Sequence, residues 1–124
     1  YMKDKCHEMK KIAEDFKKNQ KFLTAIGDET RQYLLMVMMQ CQCSGSRVID
    51  IADNTTLSRP AVSHHMQILK DVGIVKSRKE GRLIYYYLDP DTSEIDDLID
   101  LFVRVKKLIK NSPDRSIEAM EGWK

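Results

Sequence analysis

The sequence predicts a mainly α-helical chain with one two-stranded β-hairpin, and three observations support this fold class. Apolar residues recur at alternating spacings of three and four in several stretches, which is the period of amphipathic helices. After Gly73 the period changes to two, and the pair Glu80-Gly81 is typical of the tight turn in a hairpin. Before that point, a short helix, a turn at 54–56 and a second, capped helix form a helix-turn-helix pattern.

The N-terminal third is expected to be helical in three pieces. Residues 3–18 form the first helix, and a short apolar turn or helix follows around 22–26. Asp28 can cap the next helix, 29–40, which is apolar on most sides and is therefore expected to be central, with the methionines of 36–39 filling the core. The apolar face of the first helix comprises Met2, Cys6, Met9, Ala13 and Phe16.

The segment 57–88 is predicted to form a helix followed directly by the hairpin. A short helix over 47–53 precedes it. Ser58 is a good N-cap, and Pro60 lies in the first turn, where its missing N–H costs nothing. Gly73 is placed to end the helix in a left-handed conformation. The apolar stripe of this helix comprises Val62, Met66, Leu69 and Val72, and its opposite, polar face comprises Arg59, Ser63, His64 and Gln67.

The predicted hairpin has strands over 74–79 and 82–88 and a basic tip. Three consecutive tyrosines, 85–87, suit a pleated, half-buried surface. A hairpin directly after a helix-turn-helix completes a winged helix-turn-helix. The cations near the tip are Lys76, Arg78, Lys79 and Arg82.

A last long helix is expected to begin with Thr92 or Ser93 as its cap and to continue to about Lys110, before Pro113. Its acids lie early and its lysines late, which suits the helix dipole. Its apolar stripe comprises Ile95, Leu98, Ile99, Phe102, Val105 and Ile109.

The length suits one domain, 1–124, with one modest core. Within it, 3–27 is predicted to supply N-terminal dimerisation and core helices, 28–88 the winged-helix core and 92–111 a C-terminal dimerisation helix, with 112–124 as a tail. A chain this short has few internal surfaces to cover both terminal apolar stripes, so a homodimer is expected.

No apolar run approaches the roughly 20 residues that span a bilayer, and no signal-peptide pattern is present. We therefore expect a cytoplasmic protein without a membrane partner.

The net charge of +2 alone does not indicate a nucleic-acid binder, but the distribution of charge does. Residues 58–87 contain six lysines and arginines against two acids, whereas 89–100 contain six acids and no lysine or arginine. A polar helix face beside a cationic hairpin suits double-stranded DNA, with the helix in a major groove and the hairpin tip at phosphates or a minor groove.

From 22 to 88 the sequence resembles the ArsR/SmtB family of winged-helix repressors. The stretch AIGDETRQYLL is similar to that family's entry to its core helices, LSRPAVSHHMQILKDVGIV to its recognition helix, and KEGRLIYYYL to its wing. The resemblance implies a homodimer, built from the first and last helices, that binds an imperfect palindrome. It also implies an effector that lowers the affinity for DNA.

Three positions depart from the family pattern. Members that sense thiophilic metals have a Cys-x-Cys where this chain has Arg47 and Ile49. Members that sense zinc through the last helix have pairs of Asp and His there, and the last helix of this chain contains no histidine. The turn of the motif usually contains glycine where Thr56 stands. If the family geometry holds, Asn54 or Thr56 must take a left-handed backbone conformation.

The three cysteines leave three interpretations open. Cys41 and Cys43 form a Cys-x-Cys upstream of the family position, and together with Cys6 and His7 they could supply four ligands to a thiophilic metal ion. Cys6 could instead form a disulfide with Cys41 or Cys43 as a redox sensor. The simplest interpretation is three ordinary reduced thiols.

The main hypothesis is a dimeric, sequence-specific transcriptional regulator, most naturally a repressor, and the alternative is a thiol-based metal or redox sensor. An enzyme is not expected, because the adjacent Ser63, His64 and His65 point about 100° apart on a helix and cannot form a catalytic relay. His65 is expected to be a half-buried residue that packs or forms a hydrogen bond. The residues expected to contact bases are Arg59, Ser63, His64 and Gln67, and those expected to contact the DNA backbone are Arg78, Lys79 and Arg82. The capping residue Ser58 is also expected to lie at the DNA interface.

Overall fold

The computed structural model describes residues 2–41 and 45–116, with side chains for 6–40 and 45–116. The predicted mainly helical fold with a hairpin wing is confirmed. The elements are α1 (Met2–Lys18), α2 (Gln20–Ile26), α3 (Glu29–Cys41), β1 (Ser46–Arg47), α4 (Val48–Asp53), α5 (Arg59–Asp71), β2 (Val75–Glu80), β3 (Leu83–Leu88) and α6 (Ser93–Lys110).

The described residues divide into two compact units. The first, Asn19–Glu94, contains α2 to β3, and the second contains α1 and the part of α6 that begins at Ile95. None of the helices in the described ranges is long and apolar enough to cross a bilayer. The finer division into 3–27, 28–88, 92–111 and 112–124 stays a prediction.

The core of the first unit is built around the apolar stripe of α5. Val62, Met66 and Leu69 are fully buried, as the helical spacing predicted. They pack into one cluster with side chains from α3, α4 and the hairpin. Burial of three such side chains contributes about 1.5–3 kcal/mol each. The partners in this cluster are Leu34, Leu35, Met38, Ile51, Ala52, Val75 and Tyr86.

The prediction that the methionines of α3 all fill the core is wrong. Met38 is buried, but Met36 is 53% exposed and Met39 is 65% exposed. The contacts of α3 with α2, α4, α5 and β3 bury the face that contains Leu34 and Met38. Tyr33 also lies on the exposed side. An apolar helix is therefore covered on one side only among the described residues.

The hairpin belongs to a three-stranded sheet rather than a two-stranded one. Ser46 and Arg47 form β1, which pairs antiparallel with Tyr86 and Tyr85 of β3, so the strand order is β1-β3-β2. The predicted helix 47–53 consequently begins one residue later. Arg47 has an extended backbone (φ −77°, ψ 156°) because it ends the strand and caps α4.

The hairpin turn lies one residue later than predicted. Glu80 pairs with Leu83, so the two-residue loop is Gly81-Arg82 and not Glu80-Gly81. Gly81 has φ +61°, and no described residue other than glycine has a positive φ. Glycine at the first loop position with a negative φ at the second is the pattern of a type II′ turn. Arg82 is therefore presented at the tip itself.

The expected left-handed residue in the turn before α5 is also wrong. Asn54 has φ −93°, and Thr56 does not have a positive φ. Side-chain hydrogen bonds of Thr55 close the turn instead. Its hydroxyl donates to the carbonyl oxygen of Ala52 at 3.3 Å and accepts from the backbone N–H of Leu57 at 3.2 Å. A side-chain bond of this kind replaces the backbone turn that glycine would allow.

Candidate nucleic-acid interface

One face of α5 is left to solvent by the first unit. Its N-terminus is capped as predicted, because the Ser58 hydroxyl accepts a hydrogen bond from the Ala61 N–H at 3.3 Å. At the other end Gly73 has φ +85° and allows the chain to turn into the hairpin. The buried stripe then fixes which side chains face outward. We call the exposed residues Arg59, Ser63, His64 and Gln67 the α5 polar face.

Gln67 of the α5 polar face forms a side-chain hydrogen bond within its own helix. Its amide nitrogen donates to the Asp71 carboxylate at 2.8 Å, one helical turn further on. The amide retains its carbonyl oxygen and its second N–H, which together are the bidentate pair that adenine accepts in a major groove.

The cations of the hairpin are not equivalent. The Arg78 guanidinium donates from Nε to Glu80 at 3.0 Å and lies 4.8 Å from the ring centre of Tyr85. The Lys76 Nζ lies 3.7 Å from Oδ1 of Asp89, an ion pair. Lys79 and Arg82 are exposed at the tip. Of the three residues predicted to contact the DNA backbone, Arg78 is therefore the one that other side chains engage within the described part of the chain.

Three arginines from three elements line one groove of about 270 Å³. Arg47 comes from β1, Arg59 from the start of α5 and Arg82 from the hairpin loop, and we call this the arginine groove. Arg47 donates to the Asp50 carboxylate from Nε at 3.0 Å and from Nη2 at 3.1 Å. These bonds lower the pKa of Asp50, so that the carboxylate remains ionised. Sequence reasoning did not assign Arg47 to the interface.

A second arginine that sequence reasoning missed joins α5 to the rest of its unit. Arg31 donates from Nε to the Ala25 carbonyl oxygen at 2.6 Å and from Nη2 to that of Thr24 at 3.2 Å. These carbonyls belong to the end of α2, where no intrahelical N–H is available. Arg31 Nη1 lies 3.3 Å from Nδ1 of His65 in α5. One side chain therefore connects the end of α2, the start of α3 and the back of α5.

His65 is half-buried, as predicted, and both its burial and its contact with Arg31 favour the neutral imidazole. A guanidinium has donors only, so the bond requires an unprotonated Nδ1. Burial lowers the pKa of His65, and the positive charges of Arg31 and His64 lower it further, against the opposing effect of Asp28. The folded chain therefore favours a neutral His65.

The cysteine interpretations fall largely outside the described side chains. Cys6 is exposed on α1 and is a free thiol. The side chain of Cys41 and all of Cys43 lie outside the described residues. Among the residues described, no three or more His, Cys, Asp or Glu side chains gather as a metal site would require.

The geometry defines a class of protein. A short helix, a turn, a second helix with an uncovered polar face and an adjacent basic hairpin form a winged helix-turn-helix, the fold of DNA-binding transcriptional regulators.

Comparison with known proteins agrees with this class. A family model described as "Bacterial regulatory protein, arsR family" matches residues 28–77. An uncharacterized HTH-type transcriptional regulator of Methanocaldococcus jannaschii is 39% identical over 89 residues, which cover 70% of this chain and 97% of that protein. The transcriptional repressor SdpR of Bacillus subtilis is 33% identical over 76 residues, which cover 61% of this chain and 79% of that protein.

A solved structure is similar as well. The crystal structure of a possible transcriptional regulator for arsenical resistance has 28% sequence identity and a TM-score of 0.54, and the match covers 74% of this chain and 96% of the other. The chain therefore belongs to the arsR family of bacterial regulatory proteins and is a transcriptional regulator. The predicted family membership is confirmed.

The neutral state of His65 predicts how stability changes with pH. Because the folded chain holds His65 below its ordinary pKa of about 6.5, the unfolded chain binds more protons as the pH falls toward that value and beyond it. The free energy of unfolding should therefore decrease on acidification from about pH 7.5 to about pH 5, measured by urea denaturation.

The matched comparison uses two variants. His65→Gln removes the titrating group at the Arg31 contact, so its pH dependence should be shallower than that of the wild type. His64→Gln removes only the smallest of the effects that lower the pKa of His65, so it should retain most of the wild-type dependence. Equal pH dependence in the wild type and His65→Gln would contradict this account.

Proposed function

We propose that this regulator is a repressor that inserts the α5 polar face into the major groove of an operator and releases the DNA when an effector binds. The observation that supports this function best is the exposure of Arg59, Ser63, His64 and Gln67 on a helix whose opposite side is the core of the unit. Similarity to a transcriptional repressor supports the sign of regulation.

The chemistry of the α5 polar face suits base edges. Hydroxyl, imidazole and amide groups donate and accept hydrogen bonds, and the major groove presents a distinct donor and acceptor pattern for each base pair. Ser63 and His64 lie in the N-terminal half of α5, where recognition helices contact bases. A surface that bound another protein would instead be expected to expose apolar side chains at this place.

The tip of the hairpin suits the DNA backbone. Lys79 and Arg82 are exposed cations, and phosphate contacts position a protein without selecting sequence. Neutralising phosphates also releases counterions, so the affinity should fall steeply with salt.

The division of labour between helix and hairpin is testable on a duplex that the wild-type protein has selected from a random pool. His64→Ala should weaken binding to that duplex by about 1–3 kcal/mol and leave a scrambled duplex nearly unaffected, because a base contact is lost. Lys79→Ala should weaken both duplexes alike and reduce the slope of log affinity against log salt by about one.

Fluorescence anisotropy titrations at several salt concentrations measure both effects. Lys21→Ala, an exposed cation on α2, is the control for a general change in charge. Equal affinity of the wild type for selected and scrambled duplexes would refute sequence-specific binding.

We further propose that the second unit forms a homodimer. Ile99, Phe102 and Val103 of α6 and Met9 and Phe16 of α1 are 41–58% exposed, although they are large and apolar. The rings of Phe16 and Phe102 meet edge to face with their centres 6.4 Å apart, so the two helices present a joint apolar surface. A second copy would cover it by two-fold symmetry and place two recognition helices about 34 Å apart, one turn of DNA.

Ile99→Lys should dissociate this dimer, because a charge would be buried in the contact. Asp97→Lys, on the same helix and exposed, should leave it intact. Sedimentation velocity measures both. A monomeric wild type at micromolar concentration would exclude the dimer, and with it the binding of both half-sites of a palindrome.

The effector in this proposal acts on the thiols Cys6, Cys41 and Cys43. Cys6 is exposed and free, which fits a reactive or metal-binding thiol. A relative is described as a possible regulator for arsenical resistance, and arsenite and cadmium both bind thiolates.

If the effector is a thiophilic metal ion, cadmium or arsenite should weaken DNA binding of the reduced protein, and the variant Cys41→Ser/Cys43→Ser should resist. If it is an oxidant, peroxide should release the DNA and dithiothreitol should restore binding. Unchanged DNA binding under all these treatments would leave the thiols without a regulatory role.

A further inference from the structure

The arginine groove has a composition that neither the base contacts nor the hairpin tip explains. Its cations come from three separate elements, namely Arg47 of β1, Arg59 of α5 and Arg82 of the hairpin loop. The groove is therefore assembled by the tertiary fold, because β1 is paired with β3 beside the start of α5.

The three guanidinium groups can accept an anion. Arg59 and Arg82 are exposed and have no ion-pair partner among the described residues. Arg47 uses Nε and Nη2 for Asp50, which leaves three of its five N–H donors and fixes the plane of its guanidinium. Asp50 neutralises part of the charge of Arg47, and the other two arginines keep the groove cationic.

The walls of the groove are apolar. Val48 comes from α4, and Leu83 and Ile84 of β3 are 44% and 46% exposed. An inorganic anion would be bound by the cations alone. A nucleic-acid backbone alternates a charged phosphate with an apolar deoxyribose, and it would use both kinds of surface.

We infer that the arginine groove binds one phosphodiester of the operator and its flanking deoxyribose, with Arg47, Arg59 and Arg82 directed at the same phosphate. This inference rests on the proposed function, since the groove is lined by the start of α5 and by the hairpin loop, which are both proposed to contact DNA. It assigns Arg59 to the DNA backbone, whereas the sequence alone favoured a contact between Arg59 and a base. It also adds Arg47 to the interface.

The test neutralises one phosphate at a time with methylphosphonate in the duplex that the wild type selects from a random pool. Affinities are measured for the wild type, Arg47→Gln, Arg59→Ala and Arg82→Ala. Glutamine retains a donor for Asp50, so that the cap of α4 is preserved, and Arg59 and Arg82 are exposed and can be replaced without disturbing the core. Lys21→Ala is the control.

The expected result is one phosphate in each half-site whose neutralisation weakens wild-type binding roughly tenfold, as for a charge-assisted hydrogen bond. Neutralising that same phosphate should weaken the binding of each arginine variant clearly less than it weakens the binding of the wild type. It should weaken the binding of Lys21→Ala as much as that of the wild type. Each arginine variant should also reduce the salt slope by about one.

Two outcomes overturn the inference and are distinguishable. In the first, the wild type binds its selected duplex, but the three variants are insensitive to the neutralisation of different phosphates, or of none. The shared phosphate site is then wrong and the proposed function stands. If the wild type selects no duplex, the proposed function fails, and this inference fails with it.

Discussion

The burial of one stripe of α5 is the constraint on which the rest of the structure depends. Val62, Met66 and Leu69 are fully enclosed, and helical geometry then directs Arg59, Ser63, His64 and Gln67 away from the core. The same packing that stabilises the unit therefore orients the α5 polar face. A polar substitution in the stripe would disturb both the stability of the unit and the direction of the proposed base contacts, because one helix provides both.

Two polar connections complete what apolar packing begins. Arg31 joins the end of α2 to His65 on α5, and β1 joins the start of α4 to the hairpin through its pairing with β3. These connections hold the helix and the hairpin relative to each other within one unit. Association with DNA costs less when the contacting groups are already held in place, because fewer side chains and loops must be ordered on binding.

Much of the fold could be predicted because its signals are local. Ser58 and Gly73 mark the two ends of α5, and the change of period marks the hairpin. Two of the errors arose where distant segments meet. Nothing in the neighbourhood of Ser46 and Arg47 indicates a strand, because its partner, β3, lies nearly forty residues later. Met36 and Met39 could not be distinguished from Met38 by composition, because exposure depends on which neighbouring helices cover α3.

The sequence by itself determined the class of protein, the ends of α5 and the residues of the α5 polar face, because capping, helical period and charge distribution act over a few residues. Only the tertiary structure decided that Arg31 contacts His65 and that Arg47, Arg59 and Arg82 line one groove. Those relations depend on the pairing of strands and the packing of helices far apart in the chain, which no local pattern of residues specifies.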